Sequence, residues 1–237
     1  MKKVMIATPM YGGFCAAGYT ASMIELMRKY GSNKEVQLEF MYGINEALVT
    51  RARNMCANIF LKSKSDYLLF IDSDIQFNAD ELFKMMQCDE EFVCGIYPKK
   101  NIDWEKVRAA ALSGMPAQNL LSAGAEYLFI GDVSKRTPSG LVEIERAATG
   151  CMMIHRNVFN KLSDSIQNFK LEAPVNSNVV FQNQEEYKEY FFTAVDPDSK
   201  IFLHEDFNFC RLWRNIGGKI YGAPWVRLQH IGNYTFG

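Results

Sequence analysis

One short stretch constrains the fold more than any other, because an unbroken apolar run leads directly into two aspartates. Tyr67 to Ile71 (Tyr-Leu-Leu-Phe-Ile) are apolar or aromatic, and Asp72-Ser73-Asp74 follows them. A short run without polar alternation predicts a strand that is buried on both faces, as in a mainly parallel sheet. The two carboxylates then belong at the carboxyl edge of that sheet, where open α/β folds bind their ligands.

Asp72 and Asp74 are the first candidate site residues. Because strand side chains alternate with a period of two, we expect the two carboxylates to point the same way. Like charges held together repel, so a positive partner is expected between them, most simply a hard divalent cation that carries phosphate oxygens. The alternative is a strand end followed by a polar turn, since aspartate is common in turns.

The first half of the chain alternates apolar strands with helical patterns. The predicted strands cover Lys3 to Pro9, Val36 to Tyr42 and Phe92 to Tyr97, and the predicted helices cover Thr20 to Tyr30, Asn45 (as N-cap) to about Lys62, and Ala79 to about Gln87 behind an Asn78 cap. With the strand before Asp72, this alternation predicts parallel strands that are joined by right-handed crossovers.

The second half has shorter elements. Strands on either side of the turn Thr137 to Gly140 predict a hairpin, and Gly150 to His155 predicts another buried strand. Residues 164 to 190 are polar and irregular, so we expect a long surface loop that serves as a lid or as an acceptor-specificity element. A core stripe from Phe209 to Ile216 predicts a helix that starts near Glu205 and ends at Gly217-Gly218.

Composition sets limits on the class of protein. The 237 residues have 48% hydrophobic and 22% charged side chains and a net charge of -1, which is ordinary for one globular α/β domain and gives no basic field for nucleic acid. The six cysteines are scattered without a Cys-x-x-Cys pair, so a zinc site is not expected. No signal peptide or transmembrane run is expected either. The expected location is cytoplasmic, or peripheral at a membrane surface.

Further candidate residues lie outside the aspartate pair. Glu205 and Asp206 are expected at a helix N-terminus, where the helix dipole favours acids and capping alone would explain them. His230 is expected at the end of a late strand, where it is a metal ligand or a structural histidine. Three further groups are candidates for ligand binding, and each could equally be a turn or a solvated surface. They are the loop Tyr11-Gly12-Gly13, the helix residues Arg51, Arg53 and Asn54, and the group Lys99, Lys100, Asp103 and Trp104.

Four of these segments, taken in order, resemble a known family. They are Leu68 to Asp74, Thr50 to Asn54 (Thr-Arg-Ala-Arg-Asn), Gly150 to Arg156, and Glu205 to Gly218. They are similar to the Asp-x-Asp strand, the Ala-Arg-Asn helix, the glycine-apolar-arginine strand that backs the acceptor site, and the Glu-Asp helix of GT-A glycosyltransferases of the family 2 type. His230 matches the C-terminal histidine of many metal-dependent members.

The resemblance implies one GT-A (Rossmann-like) α/β domain over residues 1–237. It implies a mainly parallel central sheet flanked by helices, with a smaller antiparallel element in the C-terminal half. Residues 1–104 would form the nucleotide-sugar-binding half, and residues 105–237 would form the acceptor-binding and catalytic half. The acidic residue that often ends the first strand in this family is absent here, because Thr8-Pro9-Met10-Tyr11 stands in its place.

The resemblance also implies an activity and its residues. Sugar would pass from a nucleotide diphosphate sugar, with a UDP-sugar as the first expectation, to a hydroxyl group of a glycan, a lipid-linked acceptor or a protein. Mn²⁺ or Mg²⁺ would be held by Asp72, Asp74 and His230, and Asp206 or Glu205 would be the general base, with inversion at the anomeric carbon. The implied donor-binding residues are Thr8, Pro9, Tyr11, Arg51, Arg53, Asn54, Asp72, Ser73, Asp74 and Lys99.

Three other classes of protein share parts of this pattern. A sugar nucleotidyltransferase needs the nucleotide-binding half and a metal-binding aspartate pair, but it does not need Glu205 and Asp206. A non-catalytic nucleotide-sugar-binding module could share the whole fold. A haloacid-dehalogenase-type phosphatase also carries Asp-x-Asp after an apolar strand, but that motif usually lies near the N-terminus and continues differently from Ile75-Gln76.

Overall fold

A computed structural model describes residues 1–44, 46–127, 129–171 and 186–232. Within these ranges the helices are α1 (Ala17–Tyr30), α2 (Val49–Lys62), α3 (Ala79–Met86), α4 (Trp104–Leu112), α5 (Leu120–Ala123), α6 (Arg156–Leu162) and α7 (Glu205–Asn215). None of the helices in the described ranges is long and apolar enough to cross a membrane.

The strands of the described ranges form one large sheet and several two-stranded ones. In chain order they are β1 (Lys2–Met10), β2 (Val36–Ile44), β3 (Tyr67–Ile71), β4 (Ile75–Phe77), β5 (Phe92–Gly95), β6 (Pro98–Ile102), β7 (Ala125–Tyr127), β8 (Phe129–Arg136), β9 (Val142–Ala147), β10 (Cys151–His155), β11 (Asn168–Lys170), β12 (Glu186–Lys188), β13 (Ala194–Val195), β14 (Phe202–Leu203), β15 (Ile220–Ala223) and β16 (Leu228–His230).

The large sheet has eight strands in the order β2-β1-β3-β10-β5-β15-β9-β8. Six of them run in the same direction, and β10 and β9 run the opposite way. Strands from both halves of the chain therefore share one mostly parallel sheet, as the sequence predicts. The smaller antiparallel pairs are β11-β12, β13-β14, β16-β4 and β6-β7.

The strand β3 lies at the centre of the core, because helices cover both faces of the sheet there. Leu69 and Ile71 pack with α1 and α3 on one face, whereas Leu68 and Phe70 pack with α2, α6 and α7 on the other. All five side chains of β3 are buried. The interpretation of an apolar run as a strand buried on both faces is therefore confirmed. At roughly 1.5–3 kcal/mol for each large apolar side chain, this burial fixes the strand in place.

The position of β10 differs from the simple alternation that the sequence suggested. This strand lies antiparallel between β3 and β5, so these two strands are not direct neighbours. The side chains from Cys151 to Ile154 are all buried. Burial of these side chains places β10 where both faces of the sheet are covered, but it does not decide which strands are its neighbours.

Several predicted boundaries also change. The strand β1 continues past Pro9 to Met10, since β3 pairs only with residues 4–7 of β1 and leaves Pro9 a neighbour on one side only. The helix α2 begins at Val49, and the predicted cap Asn45 lies outside the described residues. The predictions of the Asn78 cap and of the turn from Thr137 to Gly140 are confirmed.

The prediction of a surface loop over residues 164–190 is wrong for its described ends. There β11 pairs with β12, and Tyr187 and Tyr190 are buried. Tyr187 packs beside α2 with Met55 and Leu171, and Tyr190 packs against Phe159 of α6. These aromatic side chains explain why the ends are fixed to the core. Residues 172–185, the middle of the predicted lid, lie outside the described residues.

Candidate active site

The two aspartates after β3 lie on a turn and not on the strand itself. The strand ends at Ile71, and the Ile75 amide donates to the Asp72 carbonyl oxygen at 3.0 Å. The alternation rule for strands therefore does not apply, and the two carboxylates have different partners within the protein. Asp72 instead contacts Arg53, and Asp74 contacts Lys100 and His230.

Arg53 joins Asp72 to the start of α7. Its Nη2 donates to both carboxylate oxygens of Asp72, at 3.0 and 3.1 Å, and its Nε lies 3.4 Å from Glu205 Oε1. Of the two roles that the sequence left open for Arg53, the structure shows a guanidinium aimed at carboxylates. A single buried cation thus connects the two acidic segments, which stand far apart in the sequence.

The electrostatics of Arg53 follow from its burial. Its side chain is 5% exposed and lies over the Phe70 ring. Burial alone lowers the pKa of the guanidinium, but the charges of Asp72 and Glu205 outweigh it and hold this pKa above its ordinary value. The Nη1 atom is buried without a hydrogen-bond partner among the described residues. Arg53 is therefore permanently charged, and both carboxylates are needed to stabilise its buried charge.

Asp206 follows Glu205 in the first turn of α7 and has no ion-pair partner among the described residues. Burial and the neighbouring charge of Glu205 raise the pKa of Asp206 to about 6, although the amide of Phe207 and the charge of Arg53 lower it. A carboxylate with a pKa near neutrality can both accept and release a proton at physiological pH. Glu205 is instead buried against Arg53, so Asp206 is the acid of this pair that is suited to proton transfer.

Asp74 lies beside His230 because the last strand returns to this edge. The strand β16 pairs antiparallel with β4, and the Ile231 amide donates to the Asp74 carbonyl oxygen at 2.8 Å. His230 Nε2 then lies 3.6 Å from Asp74 Oδ1. His230 is the last residue of β16, at the end of a late strand as the sequence predicts.

The other ring nitrogen fixes the orientation of His230. Its Nδ1 lies 2.9 Å from the Pro98 carbonyl oxygen. Because a carbonyl oxygen only accepts, Nδ1 carries the hydrogen, and in the neutral ring Nε2 presents a lone pair towards Asp74. Asp74 Oδ1 is itself buried and has no hydrogen-bond donor in the described part of the chain. With a neutral ring, two electron-pair donors face each other across this 3.6 Å gap, whereas a proton on Nε2 turns the contact into an ion pair.

Asp74 is a stable anion in this position. Burial alone raises its pKa, but His230 and the ammonium of Lys100 outweigh that effect and lower the pKa of Asp74 to about 2. Lys100 Nζ lies 2.5 Å from Asp74 Oδ2. The carboxylate therefore stays charged over the whole physiological range and can bind a cation.

Tyr97 connects the two groups of charges and was not predicted as a site residue. Its hydroxyl accepts from the Gly150 amide at 2.9 Å, and the Gly150 carbonyl accepts from the Asp72 amide. Its ring meets the His230 ring edge-on at 5.2 Å. A Cβ on Gly150 would lie 2.5 Å from the Tyr97 hydroxyl, so this position requires glycine. Glycine before an apolar strand was the only sequence signal for this contact.

Comparisons with known proteins bear on the fold. No family model and no curated protein matches the chain. The crystal structure of A197 from STIV aligns with a TM-score of 0.52 and 14% identity, over 98% of this chain and 87% of that one. The inositol-1-phosphate CTP transferase from T. maritima gives a TM-score of 0.46 and 10% identity, over 98% and 89% of the two chains. A glycosyltransferase involved in the glycosylation of the major capsid of PBCV-1 gives 0.32 and 11%, over 68% and 63%.

The chain has a GT-A-like fold. The mostly parallel sheet, the antiparallel strand β10 inserted beside β3 and the small β16-β4 pair define it in this protein. In this GT-A-like fold the acidic residues after β3, the start of α7 and the end of β16 lie at one edge of the sheet.

The remaining candidate donor residues have varied surroundings in the GT-A-like fold. Thr8 is buried and its hydroxyl shares a 2.8 Å hydrogen bond with Tyr19, whereas Tyr11 is 75% exposed. Pro9 is partly buried within β1, and the carbonyl oxygen of Ser73 accepts from the Ala16 amide at 2.8 Å. Of these four residues, Tyr11 has the side chain that is most accessible to a ligand.

The helix and loop candidates have partners within the protein. Asn54 is buried and binds both backbone groups of Phe191, and Arg51 Nε lies 2.5 Å from Glu46. The Lys99 ammonium lies 2.6 Å from Glu126, and the neighbouring Lys100 is the lysine that contacts Asp74. Lys100, predicted only as part of a loop, therefore joins the candidate site through its contact with Asp74, whereas the Lys99 ammonium is directed to Glu126.

Arg156, the last residue of the glycine-apolar-arginine segment, has a structural role. Its guanidinium donates to the carbonyl oxygens of Phe60, Leu61, Ser63 and Ser65 at the end of α2. The Phe60 carbonyl also accepts from the amide and hydroxyl of Ser63, so the arginine adds to the capping of the helix end and interacts favourably with the helix dipole. This contact joins β10 to α2.

The pair Asp74 and His230 fits a divalent cation. No group of three His, Cys, Asp or Glu side chains that could hold a metal occurs among residues 1–44, 46–127, 129–171 and 186–232. Both oxygens of Asp72 accept from Arg53 Nη2, so Asp74 and His230 are the two candidate ligands that face one gap. One carboxylate is nevertheless a usual protein contribution to Mg²⁺ where substrate phosphates and water complete the shell, and imidazole is a common metal ligand. The unpartnered Oδ1 of Asp74 and the lone pair of His230 supply two such ligands.

Proposed function

We propose that this protein is a metal-dependent glycosyltransferase that moves a sugar from a nucleoside diphosphate sugar to a hydroxyl acceptor. The observation that carries the proposal is the buried, unpartnered Oδ1 of Asp74, which faces His230 Nε2 at 3.6 Å. Two facing electron-pair donors are stable when a cation lies between them. At the carboxyl edge of a GT-A-like sheet, a cation of this kind would bind a diphosphate.

The two protein ligands proposed for Mn²⁺ or Mg²⁺ are Asp74 and His230. When bound, such an ion offsets the negative charge that builds up on the departing nucleoside diphosphate. The low pKa of Asp74 keeps this carboxylate charged. The contact of His230 Nδ1 with Pro98 keeps Nε2 directed towards the gap. Tyr97 supports the histidine through its edge-on ring contact.

Asp206 is the proposed general base. The acceptor hydroxyl oxygen forms a bond to the anomeric carbon of the donor, and the bond from that carbon to the phosphate oxygen breaks. The hydroxyl proton passes to the carboxylate of Asp206, and the nucleoside diphosphate departs with the electron pair of the broken bond. The pKa near 6 of Asp206 supports this role. Glu205 is the second candidate for the base, because its carboxylate is already paired with Arg53. Attack from the face opposite the leaving group gives inversion.

The donor and acceptor follow from the same proposal. A UDP-sugar is the first donor to test, and a glycan, a lipid-linked acceptor or a protein supplies the hydroxyl group. A cytoplasmic location remains a prediction, together with the possibility of peripheral attachment to a membrane. A sugar nucleotidyltransferase and a non-catalytic nucleotide-sugar-binding module are the alternative outcomes, and they differ from the proposal in their products.

Replacing Asp74 with alanine should remove Mn²⁺ binding and, with it, metal-dependent UDP binding. The change deletes the only carboxylate that faces His230 in the gap described above. Calorimetric titration of Mn²⁺, followed by UDP, measures both affinities. Asp80→Ala is the matched control, because Asp80 is an exposed carboxylate on α3 whose partners are Lys29 and Tyr30. Unchanged Mn²⁺ affinity in the Asp74 variant would contradict the metal assignment.

A further inference from the structure

The lysine at position 100 extends from β6 into the edge that holds Asp74. The strand β6 lies next to β16, and Pro98, its first residue, accepts from His230. Successive residues of a strand point to opposite sides, so Lys99 and Lys100 diverge. Lys99 reaches Glu126, whereas Lys100 reaches Asp74. Only the second lysine therefore adds positive charge to the candidate site.

The two oxygens of Asp74 have different partners. Oδ2 accepts from Lys100 Nζ at 2.5 Å, whereas Oδ1 faces His230 and lacks a donor in the described residues. A cation between Oδ1 and His230 and the ammonium on Oδ2 could therefore bind the same carboxylate together. They would also repel each other, because one carboxylate offsets only a single positive charge.

We propose that Lys100 binds the diphosphate of the donor from the side of Asp74 opposite the metal. This inference rests on the proposed function and adds a second cation to it. A diphosphate carries enough negative charge to bridge the ammonium and the metal, and so removes their repulsion. Lys100 thereby couples the affinity for the nucleotide to the affinity for the metal. Its ammonium also stabilises the negative charge on the departing diphosphate.

The surroundings of Lys100 permit this contact. Its side chain is 40% exposed, so a ligand can reach the ammonium. The stem runs along Gly232, where a Cβ would lie 2.9 Å from Lys100 Cδ. The absence of a side chain at Gly232 therefore leaves the space that the lysine occupies. A lysine ammonium is a mobile point charge on a four-carbon stem, which suits a shift from Asp74 to a nearby phosphate.

Calorimetry of the 237-residue chain measures the two affinities that this role predicts to change. In Lys100→Met, UDP affinity at saturating Mn²⁺ should be about 10- to 100-fold lower than in the wild type. The reason is the loss of a charge-assisted hydrogen bond to phosphate. Mn²⁺ affinity without nucleotide should instead rise by about threefold or more, because the competing ammonium is removed. Lys99→Met is the matched control and should change neither affinity. Lys100→Arg keeps the charge and should restore UDP affinity to within a few-fold of the wild type.

The outcomes separate this inference from the proposed function. If wild-type protein binds Mn²⁺ and UDP but Lys100→Met binds both as the wild type does, the role of Lys100 is wrong and the proposed function stands. If the wild type binds neither, the proposed function itself fails. A fall in both affinities, with an unchanged melting temperature, would show that Lys100 organises Asp74 and would overturn a direct role on the diphosphate.

Discussion

Replacing Asp206 with asparagine should reduce sugar transfer by about 10²- to 10⁴-fold while donor binding stays intact, because a general base is lost without a change in shape. The pKa of about 6 in the ligand-free protein predicts that wild-type kcat/KM also falls about tenfold for each pH unit below 6, as Asp206 becomes protonated. Rates of nucleoside diphosphate release between pH 5 and 8 measure both effects. Asp198→Asn is the control, because Asp198 is an exposed aspartate in the turn before α7.

The same substitution should stabilise the protein at neutral pH. The pKa of Asp206 is raised from 3.8 to about 6 by folding, so the folded state binds this proton more tightly than the unfolded chain. The ionised carboxylate therefore lowers the free energy of unfolding above pH 6, and this effect disappears below about pH 4. We expect Asp206→Asn to be more stable by about 1–3 kcal/mol at pH 7.5 and equal to the wild type at pH 4.

Urea unfolding at these two pH values measures the difference. Full transfer activity in Asp206→Asn would show that Asp206 is not the base, and would favour Glu205 or a route without inversion. Equal stability at pH 7.5 would show that Asp206 is not the perturbed acid of the pair.

Replacing Arg53 with methionine should destabilise the fold by about 3–5 kcal/mol, because the change leaves buried carboxylates without their cation. Arg53 is the partner of both Asp72 and Glu205, and its side chain is 5% exposed. Methionine keeps much of the apolar stem, so the loss reports on charge more than on packing.

Urea denaturation of Arg53→Met and Arg53→Lys provides the measurement. Lysine retains the charge but cannot donate to both acids through a planar fork, so an intermediate loss is expected. Arg28→Met is the surface control, because Arg28 pairs with the exposed Glu25 on α1, where solvent screens the ion pair and little stability should be lost. A loss in Arg53→Met as small as in Arg28→Met would contradict the central position of Arg53.

The apolar patterns of the sequence predicted the central elements well. The strand before Asp72, the helix after Glu205 and the Asn78 cap are all confirmed. Each depends on local rules, namely continuous apolarity, a helical stripe and a capping side chain. The insertion of β10 between β3 and β5 was not predictable in this way, because the neighbours of a buried strand depend on long-range pairing.

The partners of the charged residues were the least predictable part. Arg53 pairs with residues that lie 19 and 152 positions away in the sequence. The choice between Lys99 and Lys100 depends on which face β6 presents to β16, and sequence alone does not set that face. The turn after Ile71 also replaced the strand alternation on which the shared-cation expectation for Asp72 and Asp74 rested.

The central claim is tested most directly by the products that the protein forms with Mn²⁺ and a panel of nucleotide sugars. Anion-exchange chromatography separates a released nucleoside diphosphate from pyrophosphate. We predict the release of a nucleoside diphosphate from at least one donor, with none released by Asp74→Ala. Pyrophosphate formed from a nucleoside triphosphate and a sugar phosphate would instead identify a nucleotidyltransferase, and binding of donors without any release would identify a non-catalytic module. Either result would contradict the proposal.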